Sequence, residues 1–341
     1  MDKFEKSVDN ALKKCNFSNA TIKLYKSNIM RVYKGLDCNK SLLIFVKNID
    51  AIEGFINMKY STNSSRRNYY NSIYKIIENN NKVSRVLKNK YLNFRNKYTD
   101  DYENERKDNT VDKPLMSLKE LKNIPKLDFL NKQQYCTLNV DDKNKYNKKI
   151  TDNFFIYIHT NKVPMRLDFY NIPLIYSKEK QPVDTNHILI EPEKITLYLY
   201  DYKTKKTYGT IKQDIINDNY KVIKQWIDMF KIMTGNNPDY LLYNYSKNKF
   251  EIFNSKKVFG IHLTKLFKKY ANTNITINTI RKIWETEFFK SNNYKNLTNA
   301  ERDKFHNLLL HSGSTARASY EKIFKNTNEI NAQGIDYNEM I

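Results

Sequence analysis

Near its carboxyl end the chain reads LLLHSGSTARASYEKIF from Leu308 to Phe324, which sets His311 nine residues before Tyr320. A tyrosine oxygen can attack a phosphodiester, but a free phenol has a pKa of about 10 and is a poor nucleophile at neutral pH. It needs cations and donors around the phosphate that favour the phenolate as it attacks. With 26 tyrosines in 341 residues, the His311–Tyr320 pair alone says little. Three further cations precede it in chain order: Arg166 in VPMRLDFYNIPL, Lys203 in a KTKK stretch and Arg281 in INTIRKIWE. Transesterification develops charge on the two non-bridging oxygens of a pentacoordinate phosphorus. Each guanidinium can hold an oxyanion in a bidentate fork that lysine does not match. A lysine on a hairpin can protonate the departing 5′ oxygen, and a histidine adds one more hydrogen bond to the phosphate.

The elements that must position these groups follow from hydrophobic spacing. Asn19–Tyr33 carries Ile22, Tyr25, Ile29 and Val32 on one helical face. A second helical pattern runs from Leu42 to Met58, a third opens at an N-cap in Ser61-Thr62, and a fourth spans Val83 to Tyr98. Arg66 and Arg67 open the third, where free backbone N–H groups and cations can meet phosphate; a solvated helix face explains them equally well. Tyr98 to Pro114 is almost wholly polar, ends in proline and reads as an interdomain linker. The expected organisation is a helical domain over 1–107, a linker at 108–115, a catalytic domain over 116–325 and a tail over 326–341. Ser117 and Glu120 fit a capping box. Ile195–Tyr202 and Thr207–Ile211 read as a hairpin with a basic turn. Helical patterns return at Tyr220–Met233, Val258–Tyr270, Thr279–Phe289 and Leu297–Leu310. The fold class is mainly α with a small β-sheet or hairpin, giving an α+β catalytic domain.

Composition sets the partner class. Lysine and arginine number 59 against 37 acidic residues, a formal charge of +22 spread along the chain, which points to a polyanion such as nucleic acid. A lysine-rich protein with no such partner is the plain alternative. Cys15, Cys38 and Cys136 are odd in number and form no CxxC pair, which favours reduced thiols in an intracellular compartment over a zinc site. His159, His187 and His262 show no metal-ligand spacing. With no long apolar run and no signal-peptide pattern, a soluble intracellular protein is expected.

Order, spacing and local context resemble the tyrosine recombinase (phage integrase) family over most of the chain. Pro164–Tyr170 resembles the family's first-arginine segment, Asn278-Thr279-Ile280-Arg281 its H-x-x-R, and LHSGSTARASY its last block. The resemblance implies Arg166, Lys203, Asn278, Arg281 and His311 as catalytic residues around the nucleophile Tyr320. Lys205 is the alternative to Lys203 at the hairpin tip, and His306 is a competitor to His311 that lacks the following Ser/Thr turn. Two positions depart from the family pattern. Its acidic residue three after the first arginine is Phe169 here, with Asp168 one place earlier, and its histidine or lysine before the second arginine is Asn278. Asn278 could contact phosphate or cap its helix. The resemblance further implies a 3′-phosphotyrosine intermediate, a clamp on double-stranded DNA with Arg66, Arg67 and Lys205 as DNA contacts, no metal or other cofactor, and a homo-tetramer on two DNA sites. The tail, with Ile330, Ile335 and Ile341, would dock between protomers. A type IB topoisomerase or a catalytically degenerate DNA-binding protein would share these features. A composition rich in Asn, Lys and Ile suits a virus or mobile element with an AT-rich genome. It suggests integration of such a genome, at host nuclear DNA or in a viral factory.

Overall fold

Phe4, Val8 and Leu12 recur every four residues, and this spacing folds Asp2–Lys13 as helix α1 with all three side chains buried. The computed structural model describes residues 2–108, 116–162, 166–202, 204–291, 294 and 296–309. The chain divides into two compact units, Met1–Lys113 and Pro114–Ile341. In the first, α1 is followed by α2 (Asn19–Gly35), α3 (Leu42–Lys47), α4 (Ile49–Lys59), α5 (Asn63–Ile77) and α6 (Arg85–Asp108). Their inward faces form one core that includes Ile29, Val32, Phe45, Ile52, Ile56, Ile73 and Tyr91. Thr62 caps α5 by accepting the Ser65 N–H at 3.3 Å, as expected from the sequence. The single helix expected over 42–58 is two, because Asn48 leaves helical geometry at φ −85°, ψ 58°.

The expected linker is helical along most of its length, since α6 continues unbroken to Asp108. Polar composition concealed aromatic docking onto α5. Tyr98 is buried and stacks on Tyr70 with centroids 5.4 Å apart, and Asn63 donates to Glu105 at 2.7 Å.

In the second unit Ser117 and Glu120 form the expected capping box of α7 (Leu118–Lys122). There follow α8 (Lys132–Thr137), the long α9 (Val140–Thr160), and strands β1 (Leu174–Ile175), β2 (His187–Ile190) and β3 (Ile195–Leu199). Then come α10 (Lys205–Tyr208), β4 (Ile211–Ile215), α11 (Asn217–Thr234), β5 (Asn244–Ser246) and β6 (Lys249–Glu251). Helices α12 (Lys256–Ala271), α13 (Ile277–Lys290) and α14 (Asn299–Leu308) complete it. The fold is thus mainly helical with a small mixed sheet of order β1-β2-β3-β4, the first pair parallel and the others antiparallel. Phe154, Trp226, Phe259, Phe267, Ile280 and Trp284 lie in the one core that the helices of this unit share with the sheet.

The expected hairpin exists, with its second strand four residues later than the sequence suggested: Leu199 pairs with Ile211 and Ile195 with Ile215. Residues 205–208 form a helical turn instead, ended by Gly209 at φ 68°, a conformation that favours glycine. Tyr202 closes the turn by donating its hydroxyl to the Gly209 carbonyl at 2.7 Å.

His159 is packed between Phe155, Phe169 and Phe259, with Nδ1 2.8 Å from the Phe155 carbonyl and Nε2 buried without a hydrogen-bond partner. Nδ1–H therefore donates, and a proton arriving at Nε2 would have no acceptor. Burial holds this imidazole down to about 4 from its ordinary 6.5. Between those values the unfolded chain binds the proton that the folded chain refuses, so stability falls as pH falls from 6.5 to about 4 and is flat below. The expected loss is about 3 kcal/mol from this residue. Urea unfolding of wild type and His159→Phe across that range checks it; equal acid losses in both would overturn it.

Candidate active site

Arg166 stands at the start of a 3-10 turn, Leu167–Phe169, beside the start of α12; the nearest side-chain atom of Leu167 would lie 3.5 Å from a Cβ at Gly260. The turn buries Phe169 in the core at 1% exposure and leaves Asp168 to face charge. Asp168 is itself buried, and its Oδ2 has no hydrogen-bond partner. Burial pushes its carboxyl above the ordinary carboxylate range, against a downward pull from Lys256, Arg166 and Arg281 in that order; Asp201 adds a smaller upward push. Three cations from three segments therefore act on one buried carboxyl through their charge. Phe169 thus packs in the core, while Asp168, one place earlier, is a buried carboxyl acted on by these cations.

Arg281 lies in the second turn of α13, 4% exposed. Its Nη2 donates to the carbonyl of Leu309, two residues before His311. This contact ties the guanidinium to the end of α14. Thr276, not Asn278, caps α13, its Oγ1 accepting the Thr279 N–H at 3.2 Å. Asn278 is exposed three residues before Arg281, and its side chain makes no hydrogen bond among the described residues. Asp201, which acts on Asp168, ends the run from β3 and lies two residues before Lys203. Lys203, His311 and Tyr320 fall outside the described residues. Lys205 is exposed at the start of α10.

With Asp168 and Asp201 ionised, Lys256, Arg166 and Arg281 leave a local surplus of one positive charge. A phosphodiester carries one negative charge and gains a second on its non-bridging oxygens during displacement, so this surplus suits the charge that develops. Arg166 Nε is buried with no partner among the described residues, an unspent donor at this place. Lys256 was not anticipated. Its signal in the sequence is Ser255-Lys256-Lys257 opening an apolar helix, and Ser255 does cap α12 through Val258 N–H at 3.2 Å.

The remaining candidates have structural ties. His306 is fully buried, with Nδ1 3.3 Å from Glu285 Oε2 across α13 and α14, so it belongs to helix packing. Arg66 donates through Nε to the Tyr60 carbonyl at 2.8 Å and through Nη2 to the Asn57 carbonyl at 3.4 Å, while Arg67 lies over the Tyr102 ring at 4.6 Å. Among the described residues no helix is long and apolar enough to cross a membrane, and no group of three or more His, Cys, Asp or Glu side chains could hold a metal ion.

Lys162, four residues before Arg166, is 7% exposed and has no hydrogen-bond or ion-pair partner among the described residues. Burial holds its amine down to about 8 from 10.5. Between these values the unfolded chain binds more protons, so stability rises as pH climbs through the window. Lys162→Met should add about 3 kcal/mol at neutral pH and remove that rise. Thermal melts across the window measure both; a destabilised variant would reveal a partner for the ammonium.

No protein-family model matches the sequence. A search of curated proteins likewise finds no match. Among solved structures, the chain is similar to the crystal structure of XerA recombinase, with 11% identity and a TM-score of 0.32 over 94% of this chain and 93% of that one.

Proposed function

We propose that the protein is a DNA strand transferase of the tyrosine recombinase kind. Tyr320 attacks a phosphodiester of duplex DNA, the P–O5′ bond breaks, and a 3′-phosphotyrosine and a free 5′-hydroxyl result. Arg166 and Arg281 hold the non-bridging oxygens as charge grows on them. Lys203, or Lys205 two residues on, gives a proton to the leaving 5′ oxygen. His311 and Asn278 donate hydrogen bonds to the phosphate. The ester energy is kept in the tyrosyl link, so a second strand's 5′-hydroxyl can reverse the step without ATP. A metal ion has no required role in this scheme, because the guanidiniums supply the charge.

The observation that supports this reading best is the convergence of Arg166, Arg281 and Lys256 on Asp168, with Arg281 bonded to the chain just before His311. The helical first unit would serve as a DNA-binding domain, four protomers would act on two DNA sites, and the tail beyond 325 would dock between them. Integration of an AT-rich viral or mobile genome is the role that fits the composition. Incubation with a nicked suicide duplex, from which the cleaved strand's short end diffuses away, should trap a covalent protein–DNA adduct. Complete absence of adduct on such substrates, carrying the element's own end sequences, would leave a non-catalytic DNA-binding protein. Relaxation of supercoiled plasmid without strand exchange would instead indicate a topoisomerase.

A further inference from the structure

A second basic site lies on the same unit, away from Arg166 and Arg281. It is an open recess of about 590 Å³ between α9, the β5–β6 turn and the later turns of α12. Lys145, Lys148, Lys247, Lys265 and Lys269 line it, with Asp152 at its base. On α12, Lys265 is nine residues beyond Lys256, about 13 Å along the axis at the α-helical rise.

The lysines are held there by construction. Asp152, its side chain 1% exposed, accepts from Lys148 Nζ at 2.5 Å, Lys269 Nζ at 3.0 Å and the Tyr270 hydroxyl at 3.2 Å. One buried carboxylate thus fixes two ammonium groups at the rim. Two further carboxylates stand near them: Asp142, 3.4 Å from Lys145 in a solvent-exposed pair, and Glu251, which accepts from the lining residue Ser246 at 2.9 Å. Five lysines against these three carboxylates leave a surplus of two positive charges among the described residues. His262, also in the lining, adds no charge at neutral pH: burial first, then Lys148, lower it to about 4.

The β5–β6 turn gives an independent sign. Lys247 and Asn248 occupy φ 49° and φ 60°, the two-residue hairpin turn that ordinarily favours Asn-Gly. A lysine in the left-handed region costs about 1 kcal/mol. Here it brings to the lining of the recess an exposed ammonium with no ion pair among the described residues.

We propose that this recess grips the phosphate backbone of DNA away from the phosphodiester that is cleaved. The inference rests on the DNA-directed reading above and extends it to a second contact. Its cations are all lysines, point charges that neutralise phosphates without the planar fork used for base edges. The recess is open to solvent, as a strand that continues past it requires. Asn144, Asn244 and Ser246 add neutral polar groups between the charges.

The test uses the full chain with Lys247→Gln/Lys265→Gln. Both residues are exposed and have no ion pair or hydrogen bond among the described residues, so the melting temperature should stay at the wild-type value. Affinity for long duplex DNA should fall at least tenfold, and the slope of log K against log salt should shrink by about two, near 0.9 per lost phosphate contact. Adduct formation at saturating suicide substrate should be unchanged. If wild type forms no adduct but the salt slope still shrinks, the catalytic reading fails and the recess stands. An unchanged slope and affinity overturns the recess. Loss of inorganic tripolyphosphate binding with DNA binding intact also overturns it, and assigns the site to a free polyphosphate.

Discussion

Tyr320→Phe will bind duplex DNA with wild-type affinity and salt dependence, and its covalent adduct will fall to background. The substitution removes one oxygen and keeps the ring, so what is lost is the nucleophile. Rescue by one of the buried tyrosines is unfavourable for a physical reason. Wherever a phenol among the described residues is clearly shifted, the shift is upward and burial leads: Tyr157 and Tyr60 rise to about 12, and Tyr91 and Tyr176 rise as well. Such phenols resist the ionisation that attack needs. Denaturing gels of protein with end-labelled suicide DNA give the adduct, and a salt titration of binding gives the contact count. Adduct persisting in the variant, mapped to a different tyrosine, would sink the assignment.

The helices were legible where apolar residues recur at helical spacing, as Ile29 and Val32 do, and where caps are explicit, as at Thr62 and Ser117. They were illegible where the stabilising contact is tertiary. The end of α6 reads as linker because its residues are polar, yet Tyr98 holds it to Tyr70 across the helix pair. Strand β1 is two residues long and owes its existence to pairing with β2, which no local pattern announces. Arg66 looked available for phosphate, but its guanidinium reaches back to carbonyls left open at the end of α4. At the candidate site, motif order gave Arg166 and Arg281 and offered Asp168 as an off-register acid, whereas Lys256 emerges only when the 3-10 turn packs beside α12. Tyr320, His311 and Lys203 remain assignments from the sequence.

The two arginines should separate by stability while agreeing in chemistry. Arg166→Ala should slow single-turnover adduct formation at saturating DNA about 10²–10³-fold, or about 3–4 kcal/mol, the usual effect of deleting one preorganised donor to a developing oxyanion. Its melting temperature should change little, because Arg166 Nε has no partner among the described residues to lose. Arg281→Ala should lose as much rate and also unfold more easily. It removes a buried side chain that donates to the Leu309 carbonyl, leaving that acceptor unsatisfied at a cost of about 1–3 kcal/mol. Lysine at position 281 keeps the charge facing Asp168, yet one ammonium cannot hold both the carbonyl and a phosphate oxygen in a fixed plane. Arg281→Lys should therefore recover more stability than rate. Wild-type cleavage by Arg166→Ala would show that this arginine has no part in phosphoryl transfer, and equal melting of the two alanine variants would show that the Arg281 contact to Leu309 does not stabilise the fold.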